Sequence, residues 1–391
     1  MAQKMTNDKK IGIITFHSPI SYGAHLQCLA LQLFLRHQGY DAEVIDYSMS
    51  GYLEYRSKHR LKSFIIRFIK AMPLLVRRMK VQRIEREKIS QTKLYIRELK
   101  ERDSKFAAFR DMYYHLSKSQ YTGCLQIKKN PPAYDAYICG SDQIWNPYFC
   151  DSDDNYFLDF APVEKRIAYA PSFGVSTIPW IYRRIYKNRL NDIPYLSIRE
   201  KTGQHIIKNL TGRNAPIVID PTFLIPKAEW ETIAQQSPLT LPKRYILTYF
   251  IGVDNYIHDT IQKVKSYFHD AEVINLVFDQ SSYGPCDFLK LISHADFVVT
   301  NSFHGMAFCL NFEVPFIITK SSKDMGKNNA FSRITDLLVS LGLEGRVIDN
   351  NNKLSDSYLN IDYNSVNTNR QHLCKQSSDF LLSSLHSTIQ R

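Results

Sequence analysis

The sequence predicts an α/β protein with two Rossmann-like domains that face each other across a cleft. Strand and helix patterns alternate along the 391 residues in two series, which a polar, proline-containing stretch at 226–243 separates. A chain of this length exceeds what one core usually organises, and 44% hydrophobic residues suffice for two cores. We therefore place the first domain at 1–225 and the second at 226–391.

The first series begins with a strand at 11–15, a helix at 24–37 that ends before Gly39, and a strand at 43–46. A basic helical insertion follows at about 50–120. Parallel-type strands then resume at 134–139, 166–170, 195–198 and 217–219, with helices at 183–191 and 203–209. The second series has strands at 245–250, 272–277, 296–300, 315–318 and 346–348. The tail at 364–387 is predicted to be helical and to cross back to the first domain.

The most informative segment is 291–318, where a buried strand at 296–300 leads through a polar corner into a helix at 305–310. Asn301, Ser302 and His304 lie in this corner, at the carboxyl end of the strand, where ligands bind in open α/β sheets. A helix N-terminus also favours an anion there. Two interpretations remain open at this point. His304 is either a functional group or a structural histidine beside a Ser302 that only caps the helix.

Composition and missing motifs exclude several classes of protein. The sequence has no run of about 18 apolar residues for a membrane span, and its first ten residues lack a signal-peptide core. The seven cysteines have no C-x-x-C spacing, which argues for a reduced compartment and against structural zinc. Nucleotide-binding glycine loops, H-E-x-x-H and G-x-S-x-G are absent, so the simplest ATPase, dehydrogenase, metalloprotease and hydrolase assignments fail. We expect a cytoplasmic protein.

Most of the net charge of +12 is concentrated between residues 56 and 88. Twelve Lys or Arg and two Glu give this segment a charge of +10, and apolar residues recur there at helical spacing. The pattern suits an amphipathic helix lying on an anionic membrane, at the inner face if the protein is cytoplasmic. It also suits an ordinary packed helix with a solvated basic face. Nucleic acid is the least favoured partner, because stacking aromatics and known binding motifs are missing.

Six ordered blocks carry a family resemblance. They lie at 11–47 with its Tyr-Gly loop, 137–146 (YICGSDQIWN), 165–174, 197–203, 217–225 (IVIDPTFLI) and 302–305 (SFHG). Together they resemble the polysaccharide pyruvyl transferase family, of the kind that acts on bacterial capsules and exopolysaccharides. Residues 48–130 and the C-terminal tail match little. A single block would be a weak signal, whereas six in order are specific.

The resemblance implies a glycosyltransferase-B-like arrangement, with the acceptor on the first domain and the donor on the second. It implies transfer of pyruvate from phosphoenolpyruvate to two hydroxyls of one sugar, as a cyclic ketal with release of phosphate. The acceptor would be a polysaccharide or a lipid-linked oligosaccharide precursor. No step of this reaction needs a metal or an organic cofactor.

Candidate site residues follow from matching the chemistry to the blocks. His304 is the expected proton donor to the enol methylene, and Asp142 would orient or deprotonate the acceptor. Substrate-binding candidates are Arg199, Arg333, Lys320, Asn301, Ser302, Tyr22 and Gln143. Arginine forks suit the carboxylate and phosphate of the donor, and Tyr22 could stack on a sugar.

Structural alternatives exist for these candidates. Arg199 could form a salt bridge with Glu200 or Asp220, Asp142 could cap a helix, and Arg333 could be solvated. The sequence also departs from the family, because Ser302 and Ser21 stand where some members have Arg and Asn. Two other function classes remain open, a glycosyltransferase that uses a nucleotide sugar and a non-catalytic carbohydrate-binding protein.

Overall fold

Two five-stranded parallel sheets organise the part of the chain that the structure, a computed structural model, describes. This part comprises residues 7–48, 93–148, 153–251, 257–277, 282–320, 331–348 and 356–390. The basic segment at 56–88, with most of the predicted insertion, lies outside the described residues.

The first sheet has the strand order β2-β1-β5-β6-β7, and β3 pairs with β4 in a separate two-stranded sheet. In chain order these strands are β1 (Asn7–Ile14), β2 (Tyr40–Val44), β3 (Tyr47–Ser48), β4 (Tyr121–Thr122), β5 (Ala136–Cys139), β6 (Arg166–Ala168) and β7 (Tyr195–Leu196). Every residue of β5 is buried. Such an uninterrupted apolar strand is typical of a parallel sheet that helices cover on both faces.

The second sheet has the order β12-β11-β10-β8-β9. Its strands are β8 (Tyr245–Phe250), β9 (Glu272–Val277), β10 (Phe297–Thr300), β11 (Phe316–Thr319) and β12 (Val347–Ile348). If the strands of each sheet are numbered by their order in the chain, both sheets have the spatial order 2-1-3-4-5, with the second sheet read from β9 to β12. The strand order therefore reverses direction between β1 and β5 in the first sheet, and between β8 and β10 in the second. Crevices at the carboxyl ends of strands beside such a switch point are where ligands bind in these folds.

Eleven α-helices accompany the sheets in the described part of the chain. They are α1 (Tyr22–His37), α2 (Lys93–Tyr113), α3 (Cys124–Lys129), α4 (Trp180–Asn191), α5 (Lys201–Thr211), α6 (Lys227–Ala234), α7 (Ile257–Lys265), α8 (Pro285–Ser293), α9 (Phe303–Phe312), α10 (Ser332–Leu341) and α11 (Tyr363–Ile389). Serine hydroxyls cap the two helices that matter most for the site. Ser21 Oγ accepts from the N–H of Ala24 at the start of α1, and Ser302 Oγ accepts from that of Gly305 in α9.

Aromatic side chains join the two domains into a continuous core. The ring of Tyr22, at the start of α1, stacks on Phe288 of α8 with 4.6 Å between centroids. Phe106 of α2 and Tyr249 of β8 lie 5.4 and 5.9 Å from the same ring. Burial of such large rings is a strong stabilising contribution, so these contacts hold α1 against the second domain.

Helix α11 contacts both domains. Near its start, the hydroxyl of Tyr363 donates to the carbonyl of Val314, 2.6 Å away, in the second domain. Farther along, Ser377 Oγ accepts from the N–H of Ile219 at 2.9 Å, and the helix reaches β5 and β6. The helix therefore spans the junction of the domains, whose sequence boundary at 225/226 remains a prediction.

The predicted fold class, two Rossmann-like α/β domains, is confirmed, and several element predictions are corrected. The stretch at 226–243 contains α6, whose Trp230 and Ile233 are buried, although flanking prolines made it look like a linker. The strand predicted at 217–219 is a single bridge between Ile198 and Ile217. The helix predicted from 305 begins at Phe303, because Ser302 caps it, so His304 lies within its first turn.

Candidate active site

Side chains from both domains meet at the carboxyl ends of the first sheet. Ser141 and Asp142 follow β5, Arg199 follows β7, and Asp220 follows the bridge at Ile217. The second domain adds Phe303 and His304 from the first turn of α9, and Arg333 from the first turn of α10. Of these seven residues, only Asp142 is more than slightly exposed.

Asp220 is the central acceptor of hydrogen bonds. Its Oδ2 accepts from Arg199 Nη1 at 2.5 Å and from Ser141 Oγ at 3.1 Å. Its Oδ1 accepts from the N–H and the hydroxyl of Thr222 at 3.0 and 2.8 Å. Burial alone would raise the pKa of Asp220, but Arg199, His304 and the bonds from Thr222 outweigh it and lower that pKa. Asp220 is therefore a carboxylate that holds Arg199 in place.

Arg199 keeps part of its guanidinium open. Its Nη2 lies 3.6 Å from Asp142 Oδ1, and its Cζ lies 4.5 Å from the centroid of the Phe303 ring. Within the described residues, its Nε and Nη2 have no hydrogen-bond partner. Unsatisfied buried donors are costly, and adjacent guanidinium N–H groups fit a carboxylate or phosphate in bidentate fashion. The geometry therefore offers a ready site for an oxyanion.

Arg333 approaches the same point from the second domain. Its Cζ lies 5.8 Å from the Phe303 ring centroid, and its Nη1 lies 4.0 Å from Asp142 Oδ1. Burial, together with the nearby charge of Arg199, lowers the pKa of Arg333 to about 10, so it stays cationic at neutral pH. Two guanidinium groups thus flank one aromatic ring, with Asp142 within reach of both.

His304 lies between the arginine cluster and α1. Its Nε2 lies 3.8 Å from Asp220 Oδ2 and has no hydrogen-bond partner in the described part of the chain. Burial lowers the pKa of His304, against the opposing effect of the Asp220 and Asp142 carboxylates. The imidazole is therefore mainly neutral at neutral pH.

Gly23, in the first turn of α1, packs directly against this imidazole. A Cβ atom at position 23 would lie 1.9 Å from His304 Nδ1, far inside van der Waals contact. Because His304 is itself in the first turn of α9, the N-termini of two helices meet at one histidine ring. Both helix dipoles direct positive potential toward this point, which favours an anion.

Glu200 is a buried carboxyl beside the cluster. Its Oε1 accepts from Ser172 Oγ at 3.0 Å and from the N–H of Phe173 at 3.1 Å. Its Oε2 has no hydrogen-bond partner among the described residues. Burial raises the pKa of Glu200, although Arg199 and Arg333 oppose this shift. Of the two salt-bridge partners considered for Arg199, Asp220 is the one it contacts.

The remaining predicted site residues have defined structural partners. Asn301 bonds through its amide to the N–H and the carbonyl of Ile251, at 2.8 and 3.2 Å, so it fixes the turn after β8. Ser302 is the N-cap of α9. Lys320 Nζ lies 5.8 Å from the ring centroid of Phe331, next to the start of α10.

Two candidates in the first domain lie in packed surroundings. Gln143 Oε1 accepts from Asn146 Nδ2 at 2.9 Å, beside Gly174. Tyr22 is 0% exposed, and its hydroxyl donates to the carbonyl of Tyr283. The predicted stacking of Tyr22 on a sugar does not fit this placement, since the ring has no face open to a ligand. The structure thus brings together Asp142, Arg199, Arg333 and His304.

Sequence reasoning missed Asp220, Ser141 and Gly23 as members of the site. Each nevertheless lies in one of the six blocks that resemble the family, and this membership is the sequence signal that could have identified it. Gln27 of α1 links two of these blocks, because its Oε1 accepts from the N–H of Ser141 at 3.1 Å. Its Nε2 donates to Thr15 Oγ1 at 3.0 Å, so this glutamine ties the corner after β5 to the end of β1.

Neither a metal cluster nor a membrane-spanning helix occurs among the described residues. No three His, Cys, Asp or Glu side chains in those ranges are grouped to hold a metal ion. No helix in the same part of the chain combines the length and apolar character needed to cross a bilayer.

A family model for polysaccharide pyruvyl transferases matches residues 22–322, a range that includes Gly23, Asp142, Arg199 and His304. The chain belongs to the polysaccharide pyruvyl transferase family. No curated protein matches this chain significantly.

Several solved structures are similar to it over nearly their whole length. The UDP-GlcNAc 2-epimerase of Methanocaldococcus jannaschii is 11% identical, with 93% of this chain and 99% of that chain covered and a TM-score of 0.44. The UDP-GlcNAc 2-epimerase of Neisseria meningitidis is 8% identical, with 96% and 100% covered and a TM-score of 0.41. The ADP-heptose lipopolysaccharide heptosyltransferase II of E. coli is 11% identical, with 94% and 99% covered and a TM-score of 0.34.

Proposed function

We propose that this pyruvyl transferase moves pyruvate from phosphoenolpyruvate onto two hydroxyls of one sugar, as a cyclic ketal, and releases phosphate. One observation carries the proposal. Three buried nitrogens at the domain junction, Nε and Nη2 of Arg199 and Nε2 of His304, have no hydrogen-bond partner among the described residues. Phosphoenolpyruvate offers a carboxylate and a phosphate, whose oxygens are the acceptors that such donors need.

Charge at the site supports a donor held by both domains. Arg199 and Arg333 flank Phe303, and Asp142 lies within 4.0 Å of both guanidinium groups. Asp220 neutralises one side of Arg199, which leaves Nε and Nη2 for the donor. Lys320 is a further donor-binding candidate from the second domain, because it follows the carboxyl end of β11.

His304 would transfer the proton that starts the reaction. Protonation of the enol methylene makes C2 an oxocarbenium-like centre, which the first sugar hydroxyl attacks. The C2–O bond to phosphate then breaks, and the second hydroxyl closes the ketal. The two hydroxyls lose two protons in total. One replaces the proton that His304 gave to the methylene, which is now a methyl group, and the other is taken up by the departing phosphate. Asp142, which is more exposed than Asp220, would accept a hydroxyl proton.

The acceptor we propose is a sugar of a polysaccharide or of its lipid-linked precursor. An enzyme that modifies a lipid-linked precursor gains from lying on the same membrane surface, because confinement raises the effective concentration of both partners. The +10 charge at 56–88 motivates a peripheral contact with anionic lipid, although this segment lies outside the described residues.

Two substitutions test the donor site. His304→Gln should lower kcat by about 10²–10⁴-fold, as expected when a general acid is lost. His294→Gln, at an exposed histidine, is the matched control. Arg199→Lys should weaken phosphoenolpyruvate binding by at least about tenfold in calorimetry, because lysine lacks the planar fork. Arg213→Lys is its control, because the guanidinium of Arg213 donates to two backbone carbonyls, those of Leu190 and Pro194. Unchanged donor binding in Arg199→Lys would make Arg199 purely structural.

The pH dependence tests the role of His304 as an acid. Because burial lowers its pKa below the usual 6.5, kcat/KM should fall as pH rises above that lowered value. The bound donor is anionic and raises the pKa of a nearby imidazole, so the corresponding fall in kcat should occur at higher pH. If both parameters instead rise with pH through this range, His304 acts as a base.

Ligand binding separates the proposal from the two alternatives. Thermal unfolding should shift upward with phosphoenolpyruvate and not with a panel of nucleotide sugars; a ligand at about 100 times its Kd stabilises by about 2.7 kcal/mol. A shift with a nucleotide sugar alone, and release of nucleoside diphosphate, would indicate a glycosyltransferase. Sugar binding without any donor effect would indicate a carbohydrate-binding protein.

A further inference from the structure

Helices α4 and α5 lie side by side on the first domain, and each exposes one stripe of side chains. On α4 the exposed side chains are Trp180, Arg183, Arg184, Lys187, Asn188 and Asn191. On α5 they are Lys201, His205, Lys208 and Asn209. Their spacings of three, four, seven and eight residues place each set on one helical face. Neither helix contains an Asp or a Glu.

The two stripes form one surface, which we call the α4–α5 face. A shallow groove between the helices is lined by Arg183 from α4 and by Asn209 from α5, so the stripes meet there. Five cationic residues lie on this face. Among the described residues directly before and after these two helices, the acidic ones are Asp192 after α4 and the buried Glu200 before α5. Asp336 of α10 accepts a hydrogen bond from the N–H of Lys201.

Trp180 gives the face an apolar contact point. It is 71% exposed, more than any other large hydrophobic residue among those described. Tryptophan favours the interface of a bilayer, and clustered Lys and Arg favour anionic headgroups. A second copy of the chain suits the face poorly, because a two-fold contact would place like charges opposite each other.

We propose that the α4–α5 face lies on an anionic membrane leaflet, with Trp180 at the headgroup level. The first turn of α4 lies toward the carboxyl ends of the first sheet, because α4 follows β6, and Asp142 and Arg199 lie at the same edge. Docking there would bring the cleft near a lipid-linked sugar. This reason for a membrane partner rests on the proposed function, whereas the test below measures binding alone and so can fail independently.

The test uses tryptophan emission of the full-length protein. Trp180 is the only exposed tryptophan of three, because Trp145 and Trp230 are each 0% exposed. Mixed phosphatidylcholine and phosphatidylglycerol vesicles should shift the emission to the blue, and brominated lipids should quench it. Phosphatidylcholine alone should have no effect, and added salt should weaken the response. Trp180→Phe should abolish the shift.

Charge variants complete the experiment. Arg183→Gln/Arg184→Gln/Lys187→Gln should lower the apparent affinity for anionic vesicles, measured from the emission shift, by roughly 100-fold. Lys118→Gln/Lys243→Gln/Lys263→Gln removes as many charges from exposed positions elsewhere and should leave it nearly unchanged. The proposal is wrong if vesicles co-sediment with the protein while Trp180 emission stays constant, since another segment then makes the contact. It is also wrong if an acidic polysaccharide shifts the emission and vesicles do not.

Discussion

Gly23→Ala tests the contact between the two helix N-termini at the candidate active site. The added Cβ would lie 1.9 Å from Nδ1, 2.4 Å from Cγ and 2.5 Å from Cε1 of His304. Normal contacts begin near 3.4 Å, so the imidazole or α1 must move by about 1.5 Å. A displacement of about 1 Å at a reacting group can lower the rate by about 10²-fold. We therefore expect kcat to fall by at least about 100-fold.

The assay is phosphate release from phosphoenolpyruvate with a sugar acceptor, together with thermal unfolding. Alanine has a higher helix propensity than glycine by roughly 1 kcal/mol, so any loss of stability would come from the clash and not from the helix. Gly345→Ala is the control, because a Cβ there would have no neighbour within 4 Å. Wild-type kcat in folded Gly23→Ala would refute the idea that the position of the His304 ring limits the reaction.

Two further predictions concern buried charges. Asp220→Asn should lower the free energy of unfolding, measured by urea titration, by about 3 kcal/mol, because it leaves Arg199 without its buried carboxylate. Asp379→Asn is the control, since it breaks an exposed pair with Lys375 and should cost less than about 1 kcal/mol. Equal losses in the two variants would contradict the account of the site. Burial, with the nearby charges of His17 and Arg110, lowers the pKa of His25 from 6.5 to about 3. As pH falls below 6.5, His25 takes up a proton in the unfolded chain before it does so in the folded one. The stability that the neutral, buried His25 provides is therefore complete above pH 6.5 and is lost as pH falls toward 3, by up to about 1.4 kcal/mol per pH unit. His25→Phe should flatten that slope in urea unfolding measured at several pH values, and an unchanged slope would assign it to other groups.

The sequence was sufficient for elements whose pattern is local. The apolar run of β8 is predicted at 245–250 and observed at Tyr245–Phe250, because buried parallel strands carry continuous apolar residues. Helix α6 was missed, since prolines on both sides gave it the appearance of a linker. Its buried Trp230 packs on Phe308, a contact that depends on residues far away in the sequence. Local patterns carry no information about such a partner.

The same distinction explains the candidate site. His304 and Arg199 were predicted because each is a reactive side chain at the end of a recognisable strand. Gly23 has no side chain, and its importance appears only when α1 lies against His304, 281 residues later in numbering. Asp220 could be considered only as a salt-bridge partner, because its four hydrogen bonds come from three separate segments.

The repeated strand order explains why the two domains build one site. In each sheet the order reverses beside the first strand, and the third strand, β5 or β10, ends there in a polar corner. The corner after β5 supplies Ser141 and Asp142, and the corner after β10 supplies His304. Neither corner alone combines a carboxylate, a guanidinium and an imidazole. The site therefore depends on the interface that Tyr22 and Phe288 maintain, which gives the buried Tyr22 a role in positioning the domains.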